Sequence, residues 1–258
     1  MPAGPGPAPV VILSHGLGGS REGLSYLGTA LAEAGYMAIH LQHIGSDDSL
    51  WRGNGDRIAL AAAALDVQGA VNRLLDAKFA LSNLPPRADA SRAAIAGHSY
   101  GAWTVQHMLG ERLPGGDRGL GLPDARLKVG VALSPIPARG LPPRLAYGGI
   151  AAPLLHITGT EDHGFIEGVQ APMRRQPFEQ ATNPGALAVL RGAVHASFAD
   201  EREAGGRYAD STYHARAAAL SVAFLDGVLR GDAAALGRLR GGAPGLVAQG
   251  DEVILRGL

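Results

Sequence analysis

Short apolar runs alternate with longer stretches of helical periodicity along most of this chain, and that alternation restricts the fold more than any single motif. Val10–Leu13, Tyr36–Leu41, Arg92–Ala96, Lys128–Leu133, Leu154–Thr158 and Ala186–Leu190 read as strands. They are mostly apolar throughout rather than alternating, as strands buried on both faces are. Between the first two, Ser20 to Ala34 places Leu24, Leu27 and Leu31 on one helical face, with Ser20 as the expected cap and Gly35 as the stop. An Ala-rich stretch from Asp56 to Leu81 reads as one long helix, broken by Asn83-Leu84-Pro85-Pro86. Another helix follows residue 101 and ends near Gly110; a last one, Tyr213 to Leu229, carries Ala217, Leu220, Phe224 and Val228 on one face. This order predicts an α/β domain with a mostly parallel sheet covered on both sides. The domain is expected over residues 10–230. Residues 1–9 read as a flexible arm, and 231–258 as a tail with one short helix and a strand at Glu252–Leu255.

Composition narrows the function. The formal net charge is zero, so no basic field exists to hold nucleic acid or an anionic membrane, and neither is expected as a partner. Cysteine is absent, which removes disulfides, thiolate metal sites and a cysteine nucleophile together. Residues 1–9 carry no positively charged segment and the next apolar run covers only Val10–Leu13, so neither a signal peptide nor a membrane helix is expected there. The chain as it stands reads as cytoplasmic.

Gly97-His98-Ser99-Tyr100-Gly101 follows directly on the apolar run Ala93–Ala96. A serine between two glycines at a strand-to-helix turn is the context of a nucleophile elbow, in which a sharp turn pushes the hydroxyl clear of the sheet. Side chains at the flanking positions would clash in such a turn, hence the glycines. A serine nucleophile needs a base. His195 lies just past the strand ending at Leu190, where it would overhang the elbow, and His163 is its main rival. The imidazole needs an acid, and Thr158-Gly159-Thr160-Glu161-Asp162 supplies two carboxylates after a buried strand, with Asp162 preferred to Glu161. An oxyanion needs backbone N–H donors. The Tyr100 amide is one candidate and the Leu17 amide, in His15-Gly16-Leu17-Gly18-Gly19, is the other. Gly16, His98, Trp51 and Ile136 are the expected lining of the substrate site. His40, His43, Asp47 and Asp48 suggest a metal only weakly, because His40 and His43 would point to opposite faces of a strand. No metal and no cofactor is expected.

Four segments in register resemble the α/β-hydrolase superfamily: residues 14–23 (SHGLGGSREG), 41–48 (LQHIGSDD), 97–102 (GHSYGA) and 158–162 (TGTED). Within it the chain is similar to bacterial dienelactone-hydrolase-like and platelet-activating-factor-acetylhydrolase-like esterases. The resemblance implies Ser99 as nucleophile, His195 as base, Asp162 as its partner, and a small-molecule ester as substrate. Serine at the elbow, where true dienelactone hydrolases carry cysteine, favours ester hydrolysis. Thioesterase, lactonase or acyltransferase activity would use the same triad, and a non-catalytic binding protein is the alternative of a different class. The family usually has two further strands ahead of the one ending at Ser14-His15-Gly16. Their apparent lack predicts an exposed sheet edge at Tyr36–Leu41, able to pair with a second copy, and leaves export open should a segment precede Met1. The short Pro-rich connection before Pro153 leaves no room for a large cap domain.

Overall fold

In the computed structural model, which describes residues 6–51, 57–117, 119–200 and 211–258 (Trp51 and Ser211 by backbone alone), the apolar runs form a seven-stranded sheet. The strands are β1 (Ala8–Ser14), β2 (Met37–His40), β3 (Ala88–His98), β4 (Leu127–Leu133), β5 (Leu154–Glu161), β6 (Gly185–Val194) and β7 (Glu252–Arg256). Their spatial order is β2-β1-β3-β4-β5-β6-β7. The first six are parallel, and only β7 runs antiparallel, against β6. β2 closes one side of the sheet, so the edge expected near Tyr36–Leu41 is an edge among the described residues.

Both faces are covered, which is why the strands lack a polar face. Val11 and Leu13 of β1 pack with Leu27 and Leu31 of α1 (Ser25–Glu33) and Leu220 and Phe224 of α7 (Ser211–Leu229). Val10 and Ile12 face the other way, into a layer with Leu74 and Ala77 of α3 (Val67–Ser82) and Val105 and Met108 of α4 (Tyr100–Met108). Each buried Val, Leu, Ile, Phe or Met side chain among them contributes about 1.5–3 kcal/mol.

The structure corrects several boundaries. α1 starts at Ser25 rather than Ser20, whose hydroxyl accepts from the Glu22 amide (3.2 Å) in the turn before the helix. The long helix expected over 56–81 is two, α2 (Arg57–Leu65) and α3, bent by 72° at Asp66. Asp66 forces the break: its carboxylate accepts from the Gln68 amide (2.9 Å) and caps α3. Residues 231–258 are not a separate tail. α8 (Ala233–Arg240) packs on α7, and β7 extends the sheet. Ala8 and Pro9 likewise belong to β1 and not to an arm. Between β4 and β5 the chain holds only the five-residue α5 (Pro143–Tyr147), and no cap domain intervenes there. Among the described residues no single helix is long and apolar enough to cross a membrane.

From β1 the chain passes to β2 on one side, then returns to β3 on the other. The carboxyl ends of β1 and β3 therefore flank a topological switch point, the place where sheets of this kind open a crevice for ligands.

Candidate active site

Ser99 occupies the turn between β3 and α4 with φ 54° and ψ −114°, left-handed backbone that a side-chain-bearing residue adopts at a cost of about 1–3 kcal/mol. The two glycines make the turn possible. A Cβ on Gly97 would overlap the Gly101 backbone, and one on Gly101 would overlap the Ser14 carbonyl at the end of β1. The Ser99 amide donates to Leu133 O (2.9 Å), tying the turn to the end of β4.

β6 ends at Val194, and a single 3-10 turn, His195–Phe198, carries the imidazole back over the elbow. His195 Nε2 lies 2.9 Å from Ser99 Oγ, and Nδ1 lies 2.8 Å from Asp162 Oδ1. With Nδ1–H donating to Asp162, Nε2 is left to accept the serine proton. Glu161 is exposed, and His163 is engaged with Gln170 Oε1 (3.0 Å); neither joins the Ser99–His195 pair.

Asp162 is fully buried. Burial alone would raise its pKa, but the His195 hydrogen bond and charge, and the Arg174 guanidinium, hold it at about 2. Arg174 Nε stands 2.7 Å from Asp162 Oδ1 and donates to the Asp162 carbonyl (2.9 Å); Thr158 Oγ1 donates to Asp162 Oδ2 (2.8 Å). Arg174 is itself fully buried. Its Nη1 donates to the carbonyls of Ser134 (3.1 Å) and Pro135 (3.2 Å), and its Nη2 donates to Glu167 Oε1 (2.7 Å). Ser134 stands at φ 53°, a second left-handed non-glycine residue beside the site. No sequence signal marked Arg174: it lies in a short 3-10 segment, and an arginine there reads as surface.

The expected oxyanion donors come from the loop after β1 and from the start of α4. Gly16 packs against it, a Cβ there falling 3.6 Å from Ser99 Cβ. The Gly18 and Gly19 amides donate to Ser46 O (2.8 Å) and Gly16 O (3.2 Å), while the Leu17 amide makes no backbone hydrogen bond among the described residues. Tyr100 is the first residue of α4, where an amide has no intrahelical acceptor.

The expected substrate lining fares unevenly. His98 is buried, its Nε2 donates to the His195 carbonyl (3.0 Å), and its ring packs against the His195 ring at 4.8 Å. It therefore braces the base from behind rather than facing a ligand. Ile136 is half-buried just past β4, with its N–H and C=O both held by the Gln106 amide (3.0 and 2.9 Å). The Trp51 side chain lies outside the described residues. His40, His43 and Asp47 have separate partners: Arg21 O (2.7 Å) for His40, Ser14 and Asp76 for His43, and Gln42 and Ser49 for Asp47.

Two comparisons with known proteins bear on this arrangement. The profile of the family described as "Platelet-activating factor acetylhydrolase, isoform II" matches residues 2–50 and 58–221. A platelet-activating factor acetylhydrolase of Cavia porcellus is 24% identical over 237 residues, an alignment covering 77% of this chain and 50% of that protein. The chain thus spans about half the length of this curated relative.

Proposed function

The chain belongs to the platelet-activating factor acetylhydrolase isoform II family, a family of the α/β-hydrolase superfamily, and we propose that it is a serine esterase cleaving small to medium carboxylic esters through an acyl-enzyme. The observation that carries the proposal is the unbroken hydrogen-bonded path from Ser99 Oγ through His195 to Asp162, at a serine held in left-handed backbone.

Ser99 Oγ attacks the ester carbonyl carbon while His195 Nε2 takes its proton. Asp162 holds the imidazole in the required tautomer and stabilises the imidazolium. The Leu17 and Tyr100 amides receive the oxyanion, and losing one such donor costs about 3–4 kcal/mol. His195 then returns the proton to the departing alcohol, and a water activated by the same imidazole releases the acid from Ser99. The reaction uses no cofactor. The name of the Cavia porcellus relative makes an acetyl ester the first substrate to test.

The test is intact-mass labelling by a fluorophosphonate, on wild type and Ser99→Ala, followed by a p-nitrophenyl ester chain-length series. One adduct on wild type and none on the variant is expected, with kcat falling by about 10⁴-fold or more in Ser99→Ala. A folded wild type that takes up no phosphonate would overturn the proposal.

A further inference from the structure

A second Ser-His-Asp hydrogen-bonded path runs through this molecule. Ser14 Oγ lies 2.9 Å from His43 Nε2, and His43 Nδ1 lies 2.8 Å from Asp76 Oδ2. Ser14 and His43 are fully buried, so no substrate reaches that hydroxyl, and Ser14 Oγ also accepts from Arg73 Nη2 (3.3 Å). Burial and the Arg73 charge depress His43 to about 4, so its ring is neutral near pH 7 and holds one fixed hydrogen-bond direction. A neutral histidine locked between a serine and an aspartate, next to a buried cation, is a brace rather than a nucleophile's base.

What it braces is visible from Arg73, which is 1% exposed on α3. Its Nη2 also donates to the His15 carbonyl, at the root of the loop that carries Leu17. Its Nη1 donates to Ser46 Oγ (2.8 Å), and Ser46 O in turn receives the Gly18 amide (2.8 Å). Its Nε donates to Thr104 Oγ1 (3.3 Å), which donates to Tyr100 O (3.1 Å), and the guanidinium lies 4.4 Å from the Tyr100 ring centroid. One guanidinium therefore holds three segments: the loop after β1, the loop after β2 and the first turn of α4. The two amides proposed to receive the oxyanion belong to the first and the third.

We propose that Arg73 is the positioning residue of the oxyanion hole, setting the separation of the Leu17 and Tyr100 amides through its contacts with His15, Ser46, Thr104 and the Tyr100 ring. The proposal rests on the ester-hydrolase reading of Ser99. The planar fork matters more than the charge. Lysine presents a point charge and cannot span acceptors on three segments in one plane. A donor displaced by about 1 Å forfeits much of its value, on the order of 100-fold in rate.

The experiment compares wild type with Arg73→Lys and Arg73→Met. It measures kcat and KM on p-nitrophenyl acetate per active site titrated with fluorophosphonate, inhibition by an alkyl trifluoromethyl ketone, and Tm. The ketone forms a tetrahedral oxyanion at Ser99, so its affinity reports the hole. In Arg73→Lys, kcat is expected to fall about 100-fold with KM within threefold, and the ketone's inhibition constant to rise in proportion. A purely structural role would lower Tm and the number of titrated sites but leave kcat per site and ketone affinity unchanged; that result overturns the proposal. Should neither Arg73 variant fold, Ser46→Ala and Thr104→Val each remove one of its contacts without stranding a charge. Each should lower kcat and ketone affinity together by severalfold, and wild-type values in both would overturn it. A folded wild type that takes up no phosphonate and cleaves no ester would defeat the ester-hydrolase reading instead, which separates the two failures.

Discussion

Arg174 and Asp162 form a salt bridge with 2.7 Å between Nε and Oδ1, and neither side chain reaches solvent. A buried pair of this kind is costly to break from one side, because the remaining charge is left without compensation. Arg174→Met is expected to lower unfolding stability by about 3–5 kcal/mol, read from urea denaturation at neutral pH. The acid limb should move as well. Asp162 is depressed to about 2, so the stability it contributes is complete above its unfolded pKa, about 3.9, and is lost as pH falls toward 2. Without the guanidinium the folded pKa rises toward the unfolded value, so this contribution shrinks and the stability of Arg174→Met should depend less on pH below about 4 than that of wild type.

Glu111 gives the opposite dependence. Burial pushes its carboxyl up to about 8, against the pull of a hydrogen bond donated by Gln106 Nε2 (2.7 Å). The folded chain therefore holds a proton that the unfolded chain releases above about pH 4.5, and stability falls as pH rises from there through 8. Glu111→Gln keeps an acceptor for Gln106 and removes the titration. Its advantage over wild type should grow across that window by about 1.4 kcal/mol per pH unit, reaching a few kcal/mol. Thermal melts at pH 5 and pH 8 check this, and equal slopes in both proteins would refute it.

Two glycines with different surroundings separate steric from conformational cost. At Gly101 a methyl group would run into the Ser14 carbonyl, which belongs to a central strand and cannot give way. Gly101→Ala should abolish soluble folded protein or remove most of its stability. At Gly242, φ is 83° and nothing lies within 4 Å of an added Cβ. Gly242→Ala should cost only about 1–2 kcal/mol, the penalty of left-handed backbone alone. Soluble yield and Tm of the pair decide the matter.

Residues 232–258 should be indispensable. β7 pairs with β6 from Gly185 to Val189, and Arg175 bridges to Glu252 (2.6 Å) while Arg256 donates to Phe178 O (2.9 Å). Deleting the segment would strip β6 of its outer neighbour and leave an apolar edge unpaired, a template for association. The truncated chain is expected to aggregate on size-exclusion chromatography; a monodisperse, phosphonate-reactive truncation would contradict this.

Much of the fold was legible because the strands announce themselves. Runs such as Val10–Leu13 and Lys128–Leu133 match observed strands to within two residues, since a strand buried on both faces along most of its length leaves few polar positions to blur it. The elbow was legible because Gly97 and Gly101 are dictated by steric contact. Asp66 went unread as a helix break, although aspartate is a strong cap, because the apolar pattern continues on both sides of it. Arg174 and Arg73 were invisible for a different reason. Each is buried by partners that come from distant segments, and no local pattern distinguishes such an arginine from a solvated one. His98 adjoins the nucleophile in sequence, but the pleat turns its ring behind His195.

The strand order also bears on how the molecule assembles. Every pairing among β1 to β6 joins parallel strands, and even the antiparallel partner of β6 arrives only after α7 and α8 have intervened. Among the described residues the sheet thus contains no hairpin that could form from neighbouring residues. Each strand must wait for a long loop to close, and such topologies fold slowly. Ser14, Ser99, Asp162 and His195 come from four separate strand ends. Phosphonate capture by Ser99 should accordingly be among the last signals to return on refolding, after helix content has recovered, which makes the nucleophile a clock for the completed sheet.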